Sequence, residues 1–337
     1  MKHTEEIKCG RLMRCISVKI VILTVLFFMQ SCIREDTSDC ITSALRLSFR
    51  YTLNNQNSDL FGSEVHQVAA YIFDAEGKYI GSYLETGDKL ISKYIMTIPL
   101  PEGSYQAIVF CDNLNTFSAG WVDRETNLFY GELQPEITTV ADFRVMLKNK
   151  EGTDGYLVPE SVPGDLYAGY ITNALSTYNV SDITNVNLMK DTKNIKIKIS
   201  GLNSLTRSTI IPEVYVTAKN GRYKSDNSID TLHQALKYIP HSTSVTNDTI
   251  NSELKTMRLM AGYKPMLVIK HPVTSGYLFN RDITELILSN PKYASQEDID
   301  REDSFVFEVN FNREDNDLVI SVSINGWEVN TVVPVDD

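Results

Sequence analysis

The chain has 337 residues, 42% of them hydrophobic, and its 43 acidic side chains outnumber 32 basic ones for a formal net charge of −11. That balance argues against nucleic acid as a partner, because such binding comes mainly from Lys and Arg neutralising phosphates. The length allows two domains of ordinary size, each with its own core.

The first feature in chain order is the apolar run from Ile20 to Cys32, IVILTVLFFMQSC. Its roughly ten apolar residues are about half of the ~20 that a helix needs to cross a bilayer. With Lys8, Arg11, Arg14 and Lys19 before it and the small residue Ser31 near its end, it reads as a cleaved secretory signal over residues 1–31. An ordinary signal cut nearby, or a short helix that stays, are the plainer alternatives. The segment Met29-Gln30-Ser31-Cys32 resembles the lipobox of bacterial lipoproteins, with Met29 and Gln30 standing where Leu and Ala or Ser are commoner. This resemblance implies that Cys32 becomes the mature N-terminus, carrying a covalent diacylglycerol and an N-acyl lipid, and that no other cofactor is needed. Each buried methylene contributes about 0.8 kcal/mol and one chain alone holds only marginally, so several acyl chains are required for stable anchoring.

Residues 32–43 then form a lipidated linker. Arg34-Glu35-Asp36, with Asp39 beyond, resembles an acidic export signal that places lipoproteins on the outer face of the outer membrane, and a solvated linker has much the same composition. Without residues 1–31 the chain keeps 27 basic and 41 acidic side chains, a net charge of −14. Two cysteines remain besides Cys32. A disulfide between Cys40 and Cys111 would close a loop of roughly 70 residues and contribute about 4 kcal/mol on the chain-entropy model; two separate thiols are the alternative.

From Leu45 to Tyr51, LRLSFRY alternates apolar and polar residues, the period of a half-buried strand. Gln67 to Phe73, the turn Asp74-Ala-Glu-Gly77 and Lys78 to Leu84 predict strand, turn and strand. Tyr94 to Leu100, Ser104 to Asp112 and Ala141 to Leu147 continue the series, and the lack of a long amphipathic helix favours an all-β sandwich over residues 44–164. Pro159-Glu-Ser-Val-Pro163-Gly164-Asp165 is neither strand nor helix and is the expected domain boundary. A second sandwich, 165–337, is predicted from strands at Asn194 to Ser200, Glu213 to Ala218, Arg222 to Tyr223, Lys255 to Met260, Pro265 to Lys270, Phe305 to Asn310 and Leu318 to Ile324. A short helix is expected at Asp282 to Leu288 with Asp282 as N-cap, and Asn325-Gly326 is the strongest hairpin signal.

Taken together, Asp39-Cys40, LRLSFRY, VAAYIFDAEGKYIGSY, LPEGSYQAIVFCDN, PESVPGDLYAG, NIKIKISGL, DREDSFVFEVNFN and ISVSINGW occur in an order that resembles the FimB-type fimbrial anchor lipoproteins of the Bacteroidetes, part of the type V pilus system. The resemblance implies two transthyretin-like β-sandwich domains in series and a place at the base of a fimbria. There the protein would stay lipid-bound in the outer membrane, contact shaft or accessory subunits and limit fibre length. Shaft subunits of that system lose a first strand by proteolysis after a basic residue and accept a neighbour's strand. The anchor would keep its own, although Arg46 and Arg50 are basic residues at which a cut could fall. A Cys40–Cys111 bridge would tie that first strand in place. The tail Val329 to Val335 is either a closing strand or a strand offered to another subunit, and Pro334 restricts it to an edge.

No catalytic residues are found: GxSxG, Walker, HExxH and CxxC patterns are all absent. His66, His233, His241 and His271 lack metal-ligand spacing, so no metal site is expected. The acidic run Glu297, Asp298, Asp300, Glu302 and Asp303 reads as a solvated loop. Abundant Tyr, with Trp121 and Trp327, leaves a surface glycan-binding lipoprotein as the rival function and a tip or accessory fimbrial subunit as a variant of the first.

Overall fold

A computed structural model describes residues 43–329 apart from 172–174, 178–180, 203–210, 275 and 315–316. The expected signal peptide, Cys32, Cys40 and the tail beyond Val329 lie outside these residues. In chain order the strands are β1 (Ala44–Arg50), β2 (Gln67–Phe73), β3 (Tyr79–Thr86), β4 (Ile95–Pro99), β5 (Ser104–Cys111), β6 (Phe117–Val122), β7 (Phe129–Tyr130), β8 (Phe143–Leu147), β9 (Asn149–Glu151) and β10 (Leu157–Pro159). They continue as β11 (Tyr167–Tyr170), β12 (Leu175–Ser176), β13 (Thr184–Asn187), β14 (Met189–Lys190), β15 (Thr192–Ser200), β16 (Glu213–Ala218), β17 (Arg222–Lys224) and β18 (Leu236–Tyr238). The last are β19 (Ser242–Thr246), β20 (Thr249–Met257), β21 (Met266–Lys270), β22 (Tyr277–Asp282), β23 (Ser304–Glu314), β24 (Asp317–Ile324) and β25 (Trp327–Val329).

The first part of the molecule has three layers. The middle sheet, β14-β11-β5-β2-β3, is covered on one face by β13-β1-β4 and on the other by β17-β8-β6-β7. Because side chains alternate across a strand, a strand covered on both faces must be apolar throughout. In QVAAYIF, Val68, Ala70 and Ile72 face the core shared with β1, while Ala69, Tyr71 and Phe73 face the other core. Phe143 of β8 is the hub on that second face, with ring centroids 5.0 Å from Tyr71, 5.8 Å from Phe73 and 6.3 Å from Phe110.

The second part is a sandwich of β22-β21-β16-β18-β10-β9 on β19-β20-β15-β23-β24-β25. In NIKIKIS of β15, Ile195, Ile197 and Ile199 are fully buried, and the parallel partner β23 contributes Phe305, Phe307 and Val309 from the same face. These residues belong to one cluster with Phe143, so the core runs without interruption from the three-layer part into the sandwich.

The chain is all-β, as its residues imply, but the division into 44–164 and 165–337 is corrected. Strands β11, β12, β13 and β14 come after residue 165 and complete sheets of the first part, whereas β9 and β10 come before it and extend a sheet of the second. The described residues fall in a single compact unit. The Pro-Gly segment is a real loop between β10 and β11, but the chain returns through it to the first part instead of leaving.

The short helix Ile283–Leu288 forms where predicted, with Asp282 accepting from the backbone N–H groups of Thr284 and Glu285. Asn325 and Gly326 both take left-handed φ and join β24 to β25. The acidic run is not a solvated loop: Gln296–Arg301 is a helix closed by a Ser295–Asp298 capping box, and Asp300 is buried.

Candidate functional site: the first strand and the charges at its end

β1 is the central strand of its sheet. It pairs antiparallel with β4, from Ala44 opposite Pro99 to Ser48 opposite Ile95, and parallel with β13, from Leu47 opposite Thr184 to Arg50 opposite Asn187. The alternation in LRLSFRY sends Leu45, Leu47, Phe49 and Tyr51 inward, none more than 2% exposed. Phe49 stacks on Phe61 at 5.5 Å and Tyr51 meets Tyr167 edge-on at 5.0 Å. At ~1.5–3 kcal/mol for each large apolar side chain, the gross contribution of these four is of order 6–12 kcal/mol. Withdrawing β1 would part β4 from β13 and open an apolar trough over the middle sheet. Arg46 and Arg50 both lie within this paired strand, so a protease would reach either only after β1 left its place.

The C-terminal end of β1 is tied to the second part of the molecule through a partly buried cluster of charged side chains. The Tyr51 hydroxyl lies 3.2 Å from Asp303 Oδ1, and the Tyr167 hydroxyl donates to Glu64 at 2.8 Å. Lys190, itself nearly buried, sits 3.6 Å from Asp165, 3.8 Å from Glu64 and 4.0 Å from Asp303. Lys255 and Thr192 donate to Asp165 at 2.5 and 3.1 Å. Burial pushes the Asp165 carboxyl up, but Lys255 and Lys190 outweigh it and hold it below the ordinary carboxylate range.

Deeper still, Arg258 grips Asp300 with two bonds, Nε–Oδ1 at 2.7 Å and Nη2–Oδ2 at 2.5 Å. Lys193 is fully buried and donates to the carbonyls of Asp300 and Glu302, each at 2.6 Å. Beside it Asp191 is also fully buried; its Oδ1 accepts from Asn227 at 3.0 Å, and its Oδ2 meets no donor. Burial lifts Asp191 to about 7 and lowers Lys193 to about 8. Alternation along β15 and its pairing with β20 place Asp191, Lys193, Thr256 and Arg258 on one side of the sheet.

The remaining expected residues are dispersed. Cys111 ends β5 as a buried thiol whose pKa burial and then Asp112 push well up. It sits at the Tyr51 end of the layer, because Tyr167 is its partner in the ladder, whereas β1 begins at the opposite end beside Pro99. Among the described residues no three His, Cys, Asp or Glu side chains are grouped to hold a metal ion. Trp121 stacks on Tyr130 at 4.6 Å, and Trp327 is half exposed on the edge strand β25. Many other tyrosines, Tyr51, Tyr167, Tyr223, Tyr238 and Tyr293 among them, fill the interior.

A family model for "Fimbrillin-A associated anchor proteins Mfa1 and Mfa2" matches residues 36–333, and the chain belongs to this family. The fold is that of several solved structures. The fimbrial anchor protein Mfa2 of Porphyromonas gingivalis is 18% identical with a TM-score of 0.65, covering 85% of this chain and 98% of its own. A candidate adhesin of Bacteroides ovatus is 20% identical with a TM-score of 0.70, covering 85% and 94%. A candidate polysaccharide-binding protein of Bacteroides thetaiotaomicron is 22% identical with a TM-score of 0.69, covering 85% and 97%. No curated protein matches by sequence.

Proposed function

We propose that this fimbria-associated surface protein is a non-catalytic anchor subunit, held in the outer membrane by lipid on Cys32 and joined to shaft or accessory subunits through strand-mediated contacts. The observation that carries the reading is the state of β1: a central, doubly paired strand with four side chains locked inward and its end tied to Asp303. A subunit built to exchange its first strand needs that strand to be removable, whereas an anchor needs it to stay. From Cys32 to Ala44 there are only twelve residues, at most ~43 Å of extended chain, so lipid on Cys32 would hold β1 close to the membrane. With its own groove filled, the subunit accepts no further strand there, which supports a role in ending the fibre and limiting its length.

The test is Cys32→Ala in the native cell, alongside deletion of the gene, with fibres viewed by electron microscopy. Deletion is expected to give long fibres shed into the medium. Cys32→Ala is expected to release the folded protein together with detached fibres. Fibres of ordinary length and attachment in the deletion strain, with lost polysaccharide binding, would overturn the anchor in favour of a glycan-binding lipoprotein.

A further inference from the structure

β19 is an edge strand. It pairs with β20 alone among the described residues, and all five of its residues are exposed. The core face makes this plain. Ile250 and Ser252 of β20 are buried, yet their neighbours across the ladder, Val245 and Thr243, lie open, with Val245 43% exposed. The hairpin thus projects past the opposing sheet.

Exposed edges invite pairing with another chain, and proteins usually guard them with charge, proline or brevity. Most edges here are guarded in that way. β3 carries Glu85, β22 carries Arg281 and Asp282, β9 carries Lys150 and Glu151, β4 ends in Pro99, and β25 is three residues long with Glu328 in it. β13 is uncharged but has only four residues. From Ser242 to Asn247 the sequence STSVTN has neither charge nor proline.

We propose that β19 pairs antiparallel with β19 of a second copy of this chain, about a two-fold axis through Ser244. Asn247 and Asp248 both have left-handed φ, 49° and 63°, so the turn is of the type I′ form and Thr246 and Thr249 exchange hydrogen bonds. Alternation then directs Ser244 toward β20 and turns the N–H and C=O groups of Thr243 and Val245 to the open edge. Around the axis Thr243 meets the second copy's Val245 in a hydrogen-bonded pair, Ser242 meets Thr246, and Ser244 meets itself in the closer, non-hydrogen-bonded kind of pair. Beyond the five paired residues the chain turns away at Asn247 and Asp248, and in an antiparallel pair the two turns lie at opposite ends, so the two Asp248 side chains do not meet. Five residues a side is far below the ~20–30 of a standard interface, so the pairing is weak between free molecules and gains from two copies held on one membrane. That last point rests on the lipid anchoring proposed above; the strand pairing does not.

Ser244→Cys tests the register, in a chain also carrying Cys40→Ser. Self-paired residues on the axis bring Cα atoms to ~4.5 Å, within disulfide reach. The variant is expected to form a disulfide dimer on mildly oxidised cells, and also in concentrated solution as a chain beginning at Ile33, which lacks the lipid. Thr246→Cys alone should give none, and mixed with Ser242→Cys it should give the heterodimer. Ser244→Lys, at an exposed position, sets like charges against each other and should abolish concentration-dependent dimerisation in sedimentation. No Ser244→Cys dimer in either setting, or equal crosslinking by Thr246→Cys, would overturn the proposal. A dimer in concentrated solution but not on cells would uphold the strand pairing and count against a shared membrane anchor.

Discussion

Replacing Asp191 by Asn should make the protein more stable at neutral pH, although it removes a negative charge lying near Arg258 and Lys193. Asp191 is fully buried, one of its oxygens has no donor, and burial lifts its pKa to about 7 against roughly 3.9 for an unfolded chain. Folding therefore takes up a proton between about pH 4 and 7, and stability from this group is full below the unfolded value and falls as pH rises toward 7. Three units at about 1.36 kcal/mol each set a ceiling of about 4 kcal/mol on that loss. The amide introduced by Asp191→Asn takes the shape of the protonated acid and does not titrate. Urea unfolding at intervals from pH 4.5 to 8 should show the wild type losing a few kcal/mol that the variant keeps, the two converging at the acid end. Lys193, lowered by burial to about 8, gives the opposite slope above pH 8, where stability rises with pH in both proteins. Parallel curves for the two proteins, or a variant less stable at pH 7.5, would show that attraction to Arg258 and Lys193 outweighs burial and refute the reasoning.

Phe49→Ala removes a fully buried ring stacked on Phe61 and should cost about 3–5 kcal/mol, read as a lower urea midpoint with an unchanged slope. A loss under 1 kcal/mol would mean that β1 is not seated as described. Cys40 and Cys111 should both label with a thiol reagent in the unfolded protein under non-reducing conditions. Ala44 and Tyr51 are about 23 Å apart along β1 at ~3.3 Å per residue, and Cys111 lies at the Tyr51 end in another layer. Four residues reach at most ~14 Å from Ala44 and a disulfide spans at most ~6.8 Å between Cα atoms, which falls short. A Cys40–Cys111 peptide in mass mapping would require β1 to sit elsewhere.

Local pattern was visible in the residues, and long-range pairing was not. LRLSFRY shows by alternation alone which side chains of β1 face inward. The unbroken apolar run in QVAAYIF also bore a message that goes beyond strand, since only a layer covered twice has no use for polar residues. By contrast, TNVN of β13 and YAGY of β11 are too short to show a period, and the strands of the first part that receive them, β1 and β5, stand more than fifty residues away, so nothing local draws them back. The acidic run divides the same way. Ser295 three residues before Asp298 is a helix-start signal that the sequence displays, whereas the partner that makes Asp300 a buried anchor, Arg258, stands 42 residues earlier.

Those hidden contacts bear directly on how β1 is held. Pairing with β4 comes from chain 47 to 55 residues further on, and the β13 side of the ladder and the Tyr51–Asp303 contact are supplied by chain that comes later still. The first strand is therefore secured only when Thr184–Asn187 and the segment around Asp303 have arrived. Extraction of β1 must then break a ladder on each side, uncover four buried side chains and release its end from the charged cluster in one event. A strand gripped by sequence-distant elements on both flanks resists displacement by a competitor that could match only its own ladder, and this is the property that an anchor, unlike an exchanging subunit, requires.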